Sequence, residues 1–313
     1  MRETANPASL AMSLKSQICL TMLLATAVLL TACNPSSTEF PQTGNRETSS
    51  SSTPRGLQSS QVILPLVENN ISPGTTAPNT WWAPAPGISW QWQLSGEIDT
   101  SIAAEMYDVD LFDAPQTVIN ELHARGRIVI CYFSAGSWEN WRPDAHQYPA
   151  EALGKPLEGW EDERWLDIRQ IEALSPILTH RLDLARQKGC DGVEADNVDG
   201  YINDTGFPLT AQDQLDFNIW IAEQAHARNL SVGLKNDLNQ IQALLPYFDW
   251  MLNEQCFEYD ECSFLLPFIQ AGKAVFGVEY NLEPEHFCPQ ANAMNFDWLK
   301  KKLELDSFRV ACR

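Results

Sequence analysis

Short apolar runs recur along the chain from residue 89 onward, and polar or helix-like segments separate them. Each run is rich in β-branched and aromatic residues, which indicates a strand. Strands that alternate with helical segments are typical of a parallel sheet with helical crossovers. The eight predicted strands are residues 89–94, 106–112, 127–133, 192–197, 231–236, 250–255, 274–280 and 308–312.

Two of the intervening segments have the marks of amphipathic helices. The first is predicted over residues 175–189, with Ser175 as N-cap, Pro176 in the first turn and a stop at Gly189. The second opens with Thr210 and Asp213, which have the spacing of a capping box. Both lie between predicted strands, where crossovers belong.

The number of strands indicates the fold class. Eight strands in about 230 residues are the number and size of a (β/α)8 TIM barrel, which we expect to form a single domain. The link between the first two strands, residues 95–105, is shorter than a usual helical crossover, so we expect an irregular crossover there. The alternative is an open doubly wound sheet, but no Gly-rich phosphate loop follows the first strand.

The N-terminus has the pattern of an export signal. A basic segment and an apolar run precede Cys33, so residues 1–32 are predicted to be a signal peptide, too short in its apolar part for a spanning helix. The ending L-T-A-C resembles a bacterial lipobox, which implies that Cys33 is acylated; the alternative is ordinary cleavage after Ala32. Asn34 favours the outer membrane by the same resemblance. We therefore expect an extracytoplasmic protein that is lipid-anchored to the cell envelope.

The segment after the signal is polar and low in complexity. Residues 33–80 cannot bury enough apolar area to offset their ordering entropy, so a flexible tether is predicted, followed by one folded domain over residues 81–313. The formal net charge of -20 argues against binding to nucleic acid or to an anionic membrane surface. A cationic or neutral partner fits better.

The cysteines indicate disulfides rather than a metal site. Without Cys19 of the signal and Cys33, six of the eight cysteines remain, an even number that permits three disulfides in an exported protein. No CxxC occurs and the histidines are scattered, so no metal is expected. The expected pairs are Cys256 with Cys262 and Cys288 with Cys312, while Cys131 is either paired or a buried free thiol.

The residues at the predicted strand ends are mostly acidic. In a (β/α)8 barrel, catalytic groups lie where the strands end and the following loops begin. Glu194 and Asp196 share one face of their strand by the two-residue period, and we expect that face to line the lumen. The candidate site residues are Asp110, Tyr132, Glu194, Asp196, Asp199, Tyr201, Lys235, Glu254, Glu279 and Tyr280.

Two of these acids, Asp196 and Glu254, each follow an apolar run. Burying an unpaired carboxylate is costly, so we favour a functional role for both. Two carboxylates across a sugar-sized cleft are what glycoside hydrolysis needs, because one protonates the leaving oxygen and the other acts as nucleophile or activates water. Aromatic side chains at the same ends are suited to stack on sugars or to hold a cationic amino-sugar.

Seven segments occur in order along the chain: "YDVDLFDAP", "VICYFSAGSWENWRPDA", "GWEDERWLDIR", "GCDGVEADNVDGY", "SVGLKND", "NEQCFEYDEC" and "VFGVEY". Together they resemble glycoside hydrolase family 114, the endo-α-1,4-polygalactosaminidase family. The resemblance implies a (β/α)8 fold, hydrolysis of α-1,4 linkages in galactosamine-containing polymers, and Asp196 with Glu254 as the catalytic pair. Glu194 departs from the expected pattern, and the resemblance fades after Tyr280.

The sequence thus predicts a lipid-anchored, endo-acting glycosidase that works as a monomer on a cationic amino-sugar polymer without a cofactor. Besides the catalytic pair, the other candidate site residues are expected to bind substrate. The alternative is a non-catalytic carbohydrate-binding surface lipoprotein on the same fold. A metal-dependent deacetylase would need a cluster of His and Asp residues, which the sequence lacks.

Overall fold

The structure, a computed structural model, describes residues 81–313. The predicted signal peptide, Cys33 and the predicted tether lie outside the described residues. No helix within the described range is long and apolar enough to span a membrane.

Twelve strands are formed in the described range, and they build two sheets. Nine of them form one sheet in the order β1-β2-β3-β7-β8-β9-β10-β11-β12, and the first eight of these are parallel, as the predicted (β/α)8 fold requires. The strands are β1 (Trp90–Gln93), β2 (Met106–Asp110), β3 (Ile128–Ser134), β4 (Ser137–Glu139), β5 (Leu153–Leu157), β6 (Trp160–Leu166), β7 (Gly192–Asp196), β8 (Ser231–Lys235), β9 (Trp250–Glu254), β10 (Val275–Glu279), β11 (Asp297–Lys300) and β12 (Val310–Ala311).

Six α-helices in the same range form part of the connections between the parallel strands. They are α1 (Gln116–Ala124), α2 (Ile171–Lys188), α3 (Ala211–His226), α4 (Ile241–Leu244), α5 (Leu266–Gln270) and α6 (Pro284–Ala293). No helix joins β1 to β2, so the predicted irregular first crossover is confirmed. The capping box of Thr210 and Asp213 at α3 and the left-handed stop at Gly189 after α2 are also present.

The predicted start of α2 is wrong by one turn. The helix begins at Ile171 rather than after Ser175, and Pro176 lies inside it. The backbone N–H of Leu174 donates to the carbonyl of Gln170, and the Leu174 side chain is fully buried. Burial of this extra turn therefore outweighs the hydrogen bond that a proline inside the helix cannot donate.

Side chains alternate between two apolar cores on either side of the barrel sheet. The lumen is filled mainly by aromatic and branched side chains, whereas Val193 and Ala195 of β7 point outward to the helices, as the two-residue period predicts. Large rings fit because small residues lie beside them: a Cβ at Gly233 would overlap the Trp250 ring. The lumen residues are Trp90, Trp92, Met106, Ile130, Trp250, Leu252, Phe276, Val278 and Leu299.

The eighth strand of the barrel is not the one that the sequence pattern indicated. The parallel strand is β11, and the predicted segment, residues 308–312, instead contributes the short antiparallel strand β12. Between β11 and β1 the contact is made by the chain between β11 and β12: the N–H groups of Leu94 and Ser95 both donate to the Leu305 carbonyl. The Trp90 indole adds a hydrogen bond of 2.8 Å to the Asp297 carbonyl.

Strands β4, β5 and β6 form a separate antiparallel sheet between β3 and α2, which the sequence pattern did not predict. We call these three strands the insert sheet. It stands where the ordinary crossover helix after β3 would begin, beside the carboxyl ends of β2, β3 and β7. Its side chains therefore reach the same end of the barrel as the candidate site residues.

Three disulfides are formed among the described residues. The expected pairs Cys256–Cys262 and Cys288–Cys312 are confirmed. The third bridge joins Cys131 of β3 to Cys190, just before β7, so the alternative of a free thiol at Cys131 is wrong. This bridge lies on the outer side of two neighbouring strands whose ends carry Tyr132 and Asp196.

Replacing Cys131 and Cys190 together by serine is expected to lower the free energy of unfolding by about 4 kcal/mol, because that bridge spans 59 residues. The matched double replacement of Cys256 and Cys262, which lie 6 residues apart, should cost about 2 kcal/mol. Urea denaturation of both variants beside the parent measures the difference. Equal losses, or a larger loss for the short loop, would contradict the loop-entropy explanation.

Candidate active site

One buried ammonium group collects three carboxylates at the carboxyl ends of β7, β8 and β9. The Lys235 side chain is only 3% exposed, and its Nζ lies 2.9 Å from Glu194 Oε1 and 3.0 Å from Asp196 Oδ1. The same nitrogen lies 3.2 Å from Glu254 Oε2. The structure thus brings together the two predicted catalytic acids and two further candidate residues. We call these four residues the Lys235 cluster.

The backbone leaves each of the three strands in an unusual conformation directly after the cluster residue. Asn197, Asn236 and Gln255 follow the ends of β7, β8 and β9 with φ of 61°, 48° and 64°. A non-glycine residue in this left-handed region costs on the order of 1 kcal/mol, and Asn is the type that tolerates it best. Three of the eight left-handed non-glycine residues in the described range thus directly follow the strand ends that present the cluster, and such strain is often found at functional sites.

Asp196 is held at both carboxylate oxygens and through its backbone. Besides the Lys235 contact at Oδ1, the Tyr132 hydroxyl donates to Oδ2 at 3.0 Å. Its carbonyl accepts the N–H groups of Ala135 and Gly136. A Cβ at Gly136 would overlap the Asn197 carbonyl, so the close approach of these two loops requires glycine there. The side chain retains 18% exposure, which leaves it open to a ligand.

Asn197 connects the insert sheet to the end of β7. Its side-chain amide donates to Ser134 Oγ at 2.9 Å and to Ser137 Oγ at 3.2 Å. Ser137 in turn donates to the buried carboxylate of Glu163 on β6 at 2.7 Å. The residue after Asp196 is therefore fixed by side chains of β3, β4 and β6.

Glu254 is the more exposed member of the pair, at 26%. The Tyr280 hydroxyl donates a hydrogen bond to Oε1, and the Asn236 amide donates to Oε2 at 3.3 Å. Asn236 also accepts the backbone N–H of Glu254 at 3.0 Å, so the residue after Lys235 orients the residue at the end of β9. Burial, and then the charge of Glu254, raise the pKa of Tyr280 well above its usual value, so this phenol remains a donor.

Lys235 remains a cation in this setting. Burial lowers the pKa of its ammonium group, but Asp196, Glu194 and Glu254 together outweigh burial and raise that pKa well above its usual value. The Trp92 ring lies 4.7 Å from Nζ and adds a cation–π contact. Because three carboxylates and a ring surround the ammonium, Lys235 organises the site and has no free face for substrate.

The remaining candidates on β7 and its following loop divide between the site and its surroundings. Glu194 is fully buried and out of reach of a ligand, so the prediction that it binds substrate is wrong. Asp199 is half-buried, and burial followed by the nearby Asp196 charge raises its pKa to about 6. The Tyr201 hydroxyl lies beside Asp237 and Asn239.

Asp110 ends β2 on the lumen side, but both of its carboxylate oxygens already have hydrogen-bond donors within the protein. Both of its oxygens bind the Arg142 guanidinium, at 3.0 and 2.7 Å, and Oδ1 also accepts the backbone N–H groups of Phe112 and Asp113. Arg142 also pairs with Glu139 of the insert sheet at 2.7 Å. The expected substrate contact of Asp110 is therefore replaced by a buried ion pair that holds the insert sheet against β2.

Glu279 does not belong to the site. Phe276, Val278 and Tyr280 point into the lumen, so by the two-residue period Glu279 points outward, where it is fully buried. Its carboxylate accepts the Phe257 backbone N–H at 3.0 Å, and burial raises its pKa to about 7. Glu279 was selected as an acid at the end of its strand, but the alternation of the strand directs it away from the lumen.

Three residues with a part in the site were not selected from the sequence: Asp108, Trp92 and Asn236. The alternation of Asp108 with Asp110 in "YDVDLF" was the available signal for a second inward acid on β2. Burial, and then the charge of Glu194, raise the pKa of Asp108 well above its usual value. Among the described residues, no group of three or more His, Cys, Asp or Glu side chains is arranged to hold a metal ion.

A (β/α)8 barrel that presents two carboxylates at the carboxyl ends of its strands has the architecture of a glycoside hydrolase. The family model described as glycoside-hydrolase family GH114 matches residues 72–313, and the chain belongs to this family. It is a glycoside hydrolase.

Solved structures agree with this classification. The crystal structure of Aspergillus fumigatus Ega3 in complex with galactosamine is 43% identical, with a TM-score of 0.71, and the match covers 74% of this chain and 97% of that one. The glycoside hydrolase domain of PelA from Pseudomonas aeruginosa shares the fold at 12% identity, with a TM-score of 0.57, over 71% of this chain and 98% of that one. No curated protein matches the sequence.

Proposed function

We propose that this protein is an endo-acting hydrolase of α-1,4-galactosaminidic linkages and that Asp196 and Glu254 are its catalytic pair. The observation that carries the proposal is the placement of both carboxylates on one buried ammonium at the open end of the barrel. The similarity to Ega3, whose crystal structure contains galactosamine, supports the choice of sugar. The net charge of -20 suits a polymer that carries free amines.

The contacts of the two carboxylates favour different roles. Asp196 receives a donor at each oxygen, both at 3.0 Å, which stabilises it as an anion. Glu254 also receives a donor at each oxygen, Tyr280 at Oε1 and Lys235 with Asn236 at Oε2. It is the more exposed acid, however, and its Oε2 contacts are longer, at 3.2 and 3.3 Å. We therefore assign Asp196 as the nucleophile and Glu254 as the acid and base.

In the first step, an Asp196 oxygen attacks the anomeric carbon while Glu254 gives its proton to the leaving glycosidic oxygen. In the second step, Glu254 takes a proton from water, and the resulting hydroxide displaces Asp196 from the sugar. Tyr132, Tyr280 and Asp199 surround the pair and are proposed to contact the sugar.

The spacing of the pair favours retention of the anomeric configuration. The nearest oxygens of Asp196 and Glu254 lie within about 6 Å of each other, because both contact Lys235 Nζ, at 3.0 and 3.2 Å. Retaining enzymes place their carboxyl groups about 5 Å apart, whereas inverting enzymes leave roughly 6.5 to 9.5 Å for a water molecule. A single cation that bridges both acids suits the shorter spacing.

We also propose that the protein is lipid-anchored to the cell envelope through Cys33, at the outer membrane. The support is the sequence alone: the L-T-A-C ending of the apolar run and the Asn after Cys33. The polar residues 34–80 would then give the barrel reach from the membrane surface.

Asp196→Asn and Glu254→Gln are each expected to lower kcat on an α-1,4-linked galactosamine oligomer by at least about 1000-fold, because each removes one half of the acid and nucleophile pair. Glu279→Gln is the control, since it alters a buried glutamate on the outer face of β10 and should leave kcat within about threefold of the parent. New reducing ends are counted and fragments are identified by mass. A parent that binds the oligomer without producing reducing ends would instead establish the carbohydrate-binding alternative.

Proton NMR at early times of hydrolysis should show the α-anomer of the new reducing end first, because two displacements restore the configuration. Azide should partly rescue Glu254→Ala as the α-glycosyl azide. It should rescue Asp196→Ala as the β-glycosyl azide, because only one displacement then occurs. A β-anomer as the first product would exclude retention, and exchanged azide products would reverse the roles of the two acids.

Full-length protein expressed in a Gram-negative bacterium should incorporate labelled palmitate and fractionate with the outer membrane. Cys33→Ser should abolish both, because no thiol remains for acylation, whereas Cys19→Ser in the predicted signal peptide is the matched control and should retain them. Label in the Cys33→Ser variant would refute the anchor.

A further inference from the structure

A second pair of acids lies in the lumen beside the Lys235 cluster. Asp108 on β2 and Glu194 on β7 are both fully buried. Of their four carboxyl oxygens, only Glu194 Oε1 has a cationic donor, the Lys235 ammonium at 2.9 Å. The other three, both oxygens of Asp108 and Glu194 Oε2, meet no N–H or O–H donor in the part of the chain that the structure describes.

These two acids face each other rather than solvent. The Asp108 and Glu194 carboxyl groups perturb each other's pKa as charges and as hydrogen-bond partners, and a hydrogen bond between them requires that one carries a proton. Two buried carboxylates with no further donor would also leave an uncompensated charge in the lumen, at a cost of several kcal/mol. One proton therefore lies between them.

The surroundings decide which acid holds that proton. Burial raises the pKa of both acids, that of Asp108 well above its usual value and that of Glu194 to about 7. Glu194 alone touches the Lys235 ammonium, which lowers its pKa and favours its anionic form, whereas Asp108 forms no ion pair within the described residues. The charged groups that face Asp108 are Glu194 and Asp196 of β7 and Lys235 of β8. The hydrogen bond from Asp108 then fills the one vacant acceptor, Glu194 Oε2.

We propose that Asp108 is a neutral acid that donates its proton to Glu194, so that Glu194 is a permanent anion and the pair positions the Lys235 ammonium between the catalytic carboxylates. Both are positioning residues, because neither reaches the substrate. The proposal rests on the proposed function in one respect, namely that charge passes between Asp196 and Glu254 during the reaction.

The reaction explains why a third, constant anion is useful. In the free enzyme Asp196 is charged and Glu254 holds the proton; in the glycosyl-enzyme Asp196 is an ester and Glu254 is charged. The ammonium contacts both, at 3.0 and 3.2 Å, so it can neutralise the charge in either state without moving. Glu194 keeps it there while the charge passes across, and a site that needs no rearrangement stabilises the transition state best.

The kinetic test compares four variants with the parent. Glu194→Gln should lower kcat by about 100-fold with little change in KM, because the ammonium loses its constant partner while substrate contacts remain. Asp108→Leu removes the donor to Glu194, so it should lower kcat by a similar factor. Asp108→Asn keeps an N–H donor toward Glu194 and should recover most of that loss. The control is Asp297→Asn, which alters a buried acid at the opposite end of the barrel. This variant is expected to lose stability but to keep the kcat of the parent.

The opposite ranking would overturn the proposal. If Glu194→Gln is tolerated and Asp108→Asn is as damaging as Asp108→Leu, then Glu194 holds the proton. If Glu194→Gln and Asp108→Leu both keep the parent kcat, the pair has no positioning role.

A second measurement needs no substrate and separates this proposal from the proposed function. A buried acid with a raised pKa contributes stability below its unfolded pKa of about 4 that is lost as pH rises toward its folded pKa. Asp108→Asn removes this loss. In urea denaturation, the free energy of unfolding of the variant minus that of the parent should therefore increase from about pH 4 to pH 7. A pH-independent difference would refute the neutral Asp108, even if the enzyme proves to act on another sugar.

Discussion

The buried ammonium of Lys235 is the contact on which the site depends. Taking a cation out of water costs several kcal/mol, and that cost is met only when anions surround it closely. Three carboxylates within 3.2 Å and the Trp92 ring do so here, and Tyr132 and Tyr280 donate to the two proposed catalytic acids. Loss of this one charge would leave Glu194 and whichever of Asp196 and Glu254 is ionised repelling each other in a low-dielectric lumen.

Holding that geometry requires support from outside the lumen. The left-handed residues after β7, β8 and β9 store backbone strain, and such strain persists only where the surroundings over-determine it. The Cys256–Cys262 bridge begins two residues after Glu254, and the Cys131–Cys190 bridge ties β3 to β7 behind Tyr132 and Asp196. The insert sheet fixes Asn197 from a third direction. The two disulfides and the insert sheet each support a strand end, and none of them contacts the Lys235 ammonium.

The period of the strands predicted much of this arrangement, and its failures have physical causes. Alternation alone placed Glu194 and Asp196 inward, and it would have excluded Glu279 had it been applied to that strand. The alternation could not reveal that Asp110 forms an ion pair, because the partner Arg142 is 32 residues away in the chain. Arg142 follows β4 of the insert sheet, whose strands have no strong sequence pattern. The eighth strand was misplaced because β11 is four residues long and ends in lysine, whereas residues 308–312 have the more strand-like composition.

Glu194 stood out in the sequence as an acid too many in a core strand. A lumen that contained only Lys235 and the two proposed catalytic acids would carry one cation against an anionic charge that moves between two positions. The ammonium would then be drawn toward whichever acid is ionised, and each step would require it to move. In the proposed arrangement Glu194 stays anionic throughout the reaction and removes that movement, and its desolvation cost is limited because Lys235 and a neutral Asp108 satisfy both of its oxygens. Under this proposal, Glu194 is the residue that allows the Lys235 ammonium to keep one position throughout the reaction.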